Sequence, residues 1–243
     1  MAMICVCCAL GAVSLISFLA NYNKKRTVIG VFNKMIVSLF FIAVAFFGII
    51  EAVNAFNGPV IKYGLCIMFG LVFGLLGDIY LDQKWVYVKD MKQYLNAGFI
   101  VFAIGHIFYC VALSRMAGLT FKWMCIGFGL GAVVAVGNLI LEKPTKQKFG
   151  QFKAIATVYA CFVGATPGFA LAAFLKTLIV DGTFNVAFLV FDIGAVFFLL
   201  SDLILSPMYF GEGKNTPKNF VLNHLTYYIG QYMFALSVVL LLK

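Results

Sequence analysis

Residues 62–81 read KYGLCIMFGLVFGLLGDIYL, twenty positions of which only Lys62 at the start and Asp78 near the end are charged. A helix rises about 1.5 Å per residue and the hydrocarbon core of a bilayer is about 30 Å thick. The stretch therefore predicts a helix that crosses the membrane and carries one carboxyl inside it. Working outward, similar apolar runs lie near 3–20, 35–53, 95–113, 122–141, 154–175, 184–205 and 221–242, which makes about eight. The expected fold class is an all-α integral membrane protein of about eight transmembrane helices, a single helical domain over residues 1–243. The first run has no basic residue before it and Lys24, Lys25 and Arg26 after it, so a retained helix rather than a cleaved signal is expected.

Composition agrees. Of 243 residues, 63% are hydrophobic and 11% charged, with a mean hydropathy of +1.02, whereas about a quarter of residues are charged in soluble domains. Disorder and a small disulfide scaffold are both excluded. The net charge of +9 does not point to nucleic acid, because the basic residues sit in short gaps between apolar runs rather than on one solvated face. Thirteen of the eighteen, Lys24, Lys25, Arg26 and Lys34 among them, fall in the first, third, fifth and seventh loops, and five, including Lys243, fall on the other side. The positive-inside rule then places the odd-numbered loops in the cytoplasm and both termini opposite. The seven cysteines lie in apolar runs without zinc-ligand spacing, and no H-x-x-x-H occurs, so neither metal nor cofactor is expected.

Carboxyls inside spans are costly and mark functional sites. Asp78 and Asp202 share a context, Leu75-Leu76-Gly77-Asp78-Ile79-Tyr80-Leu81 and Leu199-Leu200-Ser201-Asp202-Leu203-Ile204-Leu205. Four spans separate them, so both face the same side. A 4 + 4 parallel repeat follows, with halves of about 1–120 and 121–243. Lys34 and Lys153 open the second and sixth spans, and H-x-x-Y recurs as His106 to Tyr109 and His224 to Tyr227. From the run boundaries, both Asp lie about 6 Å from the helix ends, His106 about 16 Å and Gln231 about 15 Å down. The expectation is a polar shaft that narrows from two carboxyls to an imidazole and an amide. Asp192 is read as supporting that shaft, and Glu51 as interfacial.

Gly77-Asp78, Gly105-His106-Ile107-Phe108-Tyr109, residues 194–202 (GAVFFLLSD) and Thr226-Tyr227-Tyr228-Ile229-Gly230-Gln231 resemble the signature segments of the YhhN-like lysoplasmalogenase family. Lys34 stands near a position where many relatives carry Lys before Pro-Leu, but here Met35-Ile36 follows. The resemblance implies a multi-pass membrane hydrolase that cleaves the vinyl ether bond of lysoplasmalogen, giving a fatty aldehyde and a glycerophospho-choline or -ethanolamine. It implies Asp78 and Asp202 as the catalytic pair. His106, Tyr109, Tyr227, Tyr228 and Gln231 are expected along the lipid chain, and Lys34 at the lipid phosphate. The expected partners are this lysophospholipid and membrane lipids.

The chemistry suits two carboxyls. Protonating the β-carbon of a vinyl ether makes an oxocarbenium ion that water captures, and paired carboxyls serve such ions in glycosidases. One Asp is expected as acid and the other as base, without an assignment between them. Two other readings stay open: a proton-coupled secondary transporter, and a lipid-binding membrane protein without catalysis. An intramembrane aspartyl protease fits less well, since no P-A-L segment occurs.

Overall fold

The computed structural model describes residues 1–21 and 27–242. Lys24, Lys25, Arg26 and Lys243, which entered the charge count, lie outside the described residues. Eight α-helices are described: α1(Ala2–Ala20), α2(Val28–Asn54), α3(Gly58–Val86), α4(Met91–Met116), α5(Phe121–Leu141), α6(Lys153–Ile179), α7(Val186–Phe210) and α8(Pro217–Leu240). No strand occurs among the described residues. The helix starts follow from local chemistry: Thr27, Asn57, Asn185 and Thr216 each accept a hydrogen bond from a backbone N–H in the first turn of α2, α3, α7 and α8, and a proline fits the first turns of α3 and α8 because it lacks only an unpaired N–H.

Seven helices, α1 to α7, are long and apolar enough to cross a membrane, which makes the chain a multi-pass integral membrane protein. Helix α8 falls short because it carries a polar stripe. Asn223, His224, Tyr227, Gln231 and Ser237 recur at helical spacing and are all buried, so its polarity faces the other helices. The helices also run longer than the apolar runs. Asp78 and Asp202 each stand eight residues before the last residue of their helix, about 12 Å along the axis rather than about 6 Å. By the same measure His106 and Gln231 lie about 22 Å and 21 Å into α4 and α8, deeper than expected but still level with each other.

Packing repeats along the chain. The neighbours α1 and α2, α2 and α3, and α3 and α4 are matched by α5 and α6, α6 and α7, and α7 and α8, while α2 against α8 is matched by α6 against α4. We propose that the two halves form a parallel repeat, supported by this pattern, by the shared Asn caps of α3 and α7, and by the matched register of the two Asp. Glycine sets the closest crossings, as helices in lipid gain from close backbone approach. A Cβ on Gly105 of α4 would lie 3.0 Å from the Gly70 carbonyl oxygen of α3, and one on Gly230 of α8 would lie 2.7 Å from that of Gly194 in α7. Because that neighbour is backbone and cannot yield, Gly230→Val is expected to cost about 1–3 kcal/mol, read as a lower thermal unfolding midpoint in detergent. Gly129→Ala, where the added Cβ meets nothing within 4 Å, is expected to change stability by less than about 0.5 kcal/mol.

Candidate active site

Three helices converge on Asp78. On α2, Lys34 and Ser38 lie one turn apart and share a face; on α3, Asp78 and Asp82 do the same. The Lys34 ammonium is 3.0 Å from Asp78 Oδ1 and 3.4 Å from Asp82 Oδ1. Asp78 Oδ2 accepts from Ser38 Oγ at 3.1 Å and from the Tyr227 hydroxyl of α8 at 2.8 Å. Lys34 and Asp78 are both buried, so the pair is stable only because the carboxylate is nearly saturated with donors.

The hydroxyl that reaches Asp78 ends a directed chain. Tyr109 donates to Gln231 Oε1 at 3.0 Å, Gln231 Nε2 donates to the Tyr227 oxygen at 2.9 Å, and Tyr227 donates to Asp78. Each donor polarises the next. Tyr228 donates to the Lys34 carbonyl at 3.2 Å and touches Ser38 Oγ at 3.4 Å, fixing the first turns of α2. Gly74 makes room for this chain, since a Cβ there would lie 2.6 Å from Gln231 Nε2.

Asp202 has a different environment. Its Oδ2 accepts from the Tyr159 hydroxyl of α6 at 2.6 Å, and no lysine, arginine or histidine nitrogen among the described residues lies within ion-pair distance of it. Lys34 and Tyr159 are each the seventh residue of a 27-residue helix, α2 and α6. In the two halves, the same position therefore offers a cation to one carboxyl and a phenol to the other. Asp78 and Asp202 nevertheless line one small cavity of about 60 Å³, together with Lys34, Asp82, Phe102 and Tyr227. The Phe102 ring stands 6.2 Å from both Tyr159 and Tyr227, the two phenols that serve the two carboxyls.

His106 stands apart from this cavity lining. The Thr166 hydroxyl donates to the Phe162 carbonyl at 3.1 Å, so it accepts from His106 Nδ1 at 2.8 Å. That assigns the Nδ1–H tautomer and leaves Nε2 buried without a hydrogen-bond partner. Among the described residues, no group of three His, Cys, Asp or Glu side chains could hold a metal ion.

Of the residues singled out in the sequence, Lys34, Tyr109, Tyr227, Tyr228 and Gln231 come together around Asp78. The Lys34 ammonium is occupied by two carboxylates rather than presented at a surface. Sequence reasoning missed Ser38, Asp82, Tyr159 and Thr166. The sequence paired Lys34 with Lys153, but Lys153 is the first residue of α6 and Lys34 the seventh of α2, so the observed helix starts match Lys34 to Tyr159 instead; the i, i+4 spacing from Lys34 and Asp78 marks Ser38 and Asp82.

If the ion pair holds this end of the bundle, Lys34→Met leaves the buried Asp78 carboxylate uncompensated and is expected to cost about 3–5 kcal/mol. Adding Asp78→Asn is expected to recover much of that loss in a double-mutant cycle measured by equilibrium unfolding. Simple additivity of the two variants would show that the residues are not coupled.

The sequence model of the YhhN family matches residues 31–238, most of the chain. No curated protein and no solved structure matches it.

Proposed function

The chain belongs to the YhhN family, and from that premise and the cavity geometry we propose that it is a membrane-embedded hydrolase of the alkenyl ether bond of lysoplasmalogen. The observation that carries this reading is that two carboxyls with unlike partners line one cavity. Asp78 has a lysine beside it and serves as the standing carboxylate. Asp202, with a phenol and no paired cation among the described residues, serves as the proton donor. Environments that separate two acids in this way are how one site holds both an acid and a base.

Asp202 gives its proton to the β-carbon of the vinyl ether, and the positive charge appears on the α-carbon and its oxygen, next to the Asp78 carboxylate. Water adds to the α-carbon and passes its proton to Asp78. The hemiacetal then loses its hydroxyl proton to Asp202, and Asp78 protonates the departing glycerol oxygen. One water is consumed, the carbon–oxygen bond to glycerol breaks, and both carboxyls return to their starting forms. The products are a fatty aldehyde and a glycerophospho-alcohol.

In this reading Lys34 is the internal counter-ion of Asp78, and Tyr109, Gln231, Tyr227 and Tyr228 orient that pair. His106 is assigned to the packing of α4 on α6, through Thr166. The basic bias of the odd-numbered loops orients the carboxyl-bearing end toward the cytoplasm, so the substrate would come from the inner leaflet.

Purified protein in nanodiscs is expected to release aldehyde from a 1-alkenyl lysophosphatidylcholine, and Asp202→Asn and Asp78→Asn are each expected to lose at least about 10²-fold in turnover. Full activity in either variant would remove that residue from the chemistry, and no aldehyde from the parent protein would remove the reaction.

A further inference from the structure

Asp202 lines two spaces. On one side lies the small cavity it shares with Asp78. On the other lies a cavity of about 1160 Å³ bounded by α5, α6 and α7 and by the loops that follow α5 and α7; Asp202, Leu205 and Tyr209 line both. The small space suits water and the reacting ether but not a whole lipid chain, so the chain reaches Asp202 from the large side while its ether end faces Asp78.

The large cavity owes its form to α5. That helix packs closely on α6, where a Cβ on Gly168 would lie 2.8 Å from Gly127 Cα. Among the described residues it has no comparable contact with α7. A cleft therefore stays between α5 and α7, floored by α6. Its inner wall is apolar, with Val134, Val163 and Leu199, while its rim carries Lys146, Lys148 and Lys214. Lys148 pairs with Glu212 at 2.7 Å; Lys146 and Lys214 have no carboxylate partner among the described residues. The rim is held in place from behind. Lys153 bonds Glu142 at 2.6 Å and keeps its carboxyl below the usual range, and the Lys148 N–H bonds the Phe210 carbonyl at 2.9 Å.

We propose that this cleft is a lateral portal by which a single-chain phospholipid reaches Asp202 directly from the bilayer. Its phosphate sits on Lys146 and Lys214, the roughly 12 Å from the end of α7 to Asp202 is covered by the lysine side chains and the glycerol together, and its chain leaves between α5 and α7 into the membrane. The charge of the rim selects an anionic phosphate, and the open side spares the protein from enclosing a whole chain. The assignment rests on the hydrolase reading for what Asp202 then does, but not for binding.

Gly137 offers a clean block. It lines the cleft on α5, and a Cβ there meets nothing within 4 Å, so Gly137→Trp fills the cleft while replacing a poor helix former. The probe is lysophosphatidylcholine with a diazirine near the start of its chain, photolysed in nanodiscs and mapped by mass spectrometry. Labels are expected on α5 and α7 around Val134, Leu199 and Leu203, and are expected to fall at least tenfold in Gly137→Trp. Lys146→Asn with Lys214→Gln is expected to reduce labelling by this probe but not by an uncharged monoacylglycerol diazirine. Labels confined to helices other than α5, α6 and α7, or undiminished labels in a Gly137→Trp protein of normal melting temperature, would overturn the portal. Cleft labelling without aldehyde release would uphold the portal and defeat the hydrolase reading.

Discussion

A lysine ammonium 3.0 Å from a carboxylate, both buried inside a helical bundle, constrains much of the rest of the structure. Desolvating two charges costs several kcal/mol each, recovered only when geometry is good and the remaining lone pairs are filled. Here Ser38 and Tyr227 fill them, which obliges α2, α3 and α8 to meet at one depth. The obligation spreads outward. Tyr227 needs Gln231, Gln231 needs Tyr109, and α3 must carry glycine at Gly74 so that the chain of donors fits. The low hydropathy of α8 is a consequence, since polarity turned to the interior escapes the lipid but not a hydropathy window.

In the proposed repeat, the second half of the chain keeps the pattern of helix neighbours and changes its electrostatics. Where α2 offers Lys34, α6 offers Tyr159, so Asp202 has a donor but no counter-charge among the described residues. Divergence at one matched position thus separates two carboxyls that a strict repeat would have left alike. That separation is what acid–base catalysis on a single bond requires. Asp202 lines both cavities, and in the proposed reaction this adds a directional element, with water arriving from the Asp78 side and the apolar chain lying on the α5 and α7 side.

Much of this was legible in the sequence. The spans stand out because lipid tolerates few charges, and Asp78 with Asp202 stand out because the membrane penalises them in matching contexts. The helix ends were misjudged because the last turns of α3 and α7 contain Gln83, Lys84 and Ser206, which read as loop although they remain helical. Lys84 is buried with its ammonium over the Tyr209 ring, a way of holding a cation that spacing does not reveal. Lys34 read as a phosphate ligand because it follows a basic loop, but α2 starts at Val28 and carries it inside. Tyr159 was invisible for the opposite reason, as an aromatic in an apolar run carries no charge to mark it.

The central claim is that a carboxyl proton is delivered to carbon within this cavity, and turnover in deuterium oxide tests it most directly. With the aldehyde reduced as it forms, the account predicts a product bearing one deuterium at the carbon beside the former ether carbon, formed by the parent protein and not by Asp202→Asn. Aldehyde without that deuterium, or equal deuteration by Asp202→Asn, would contradict it.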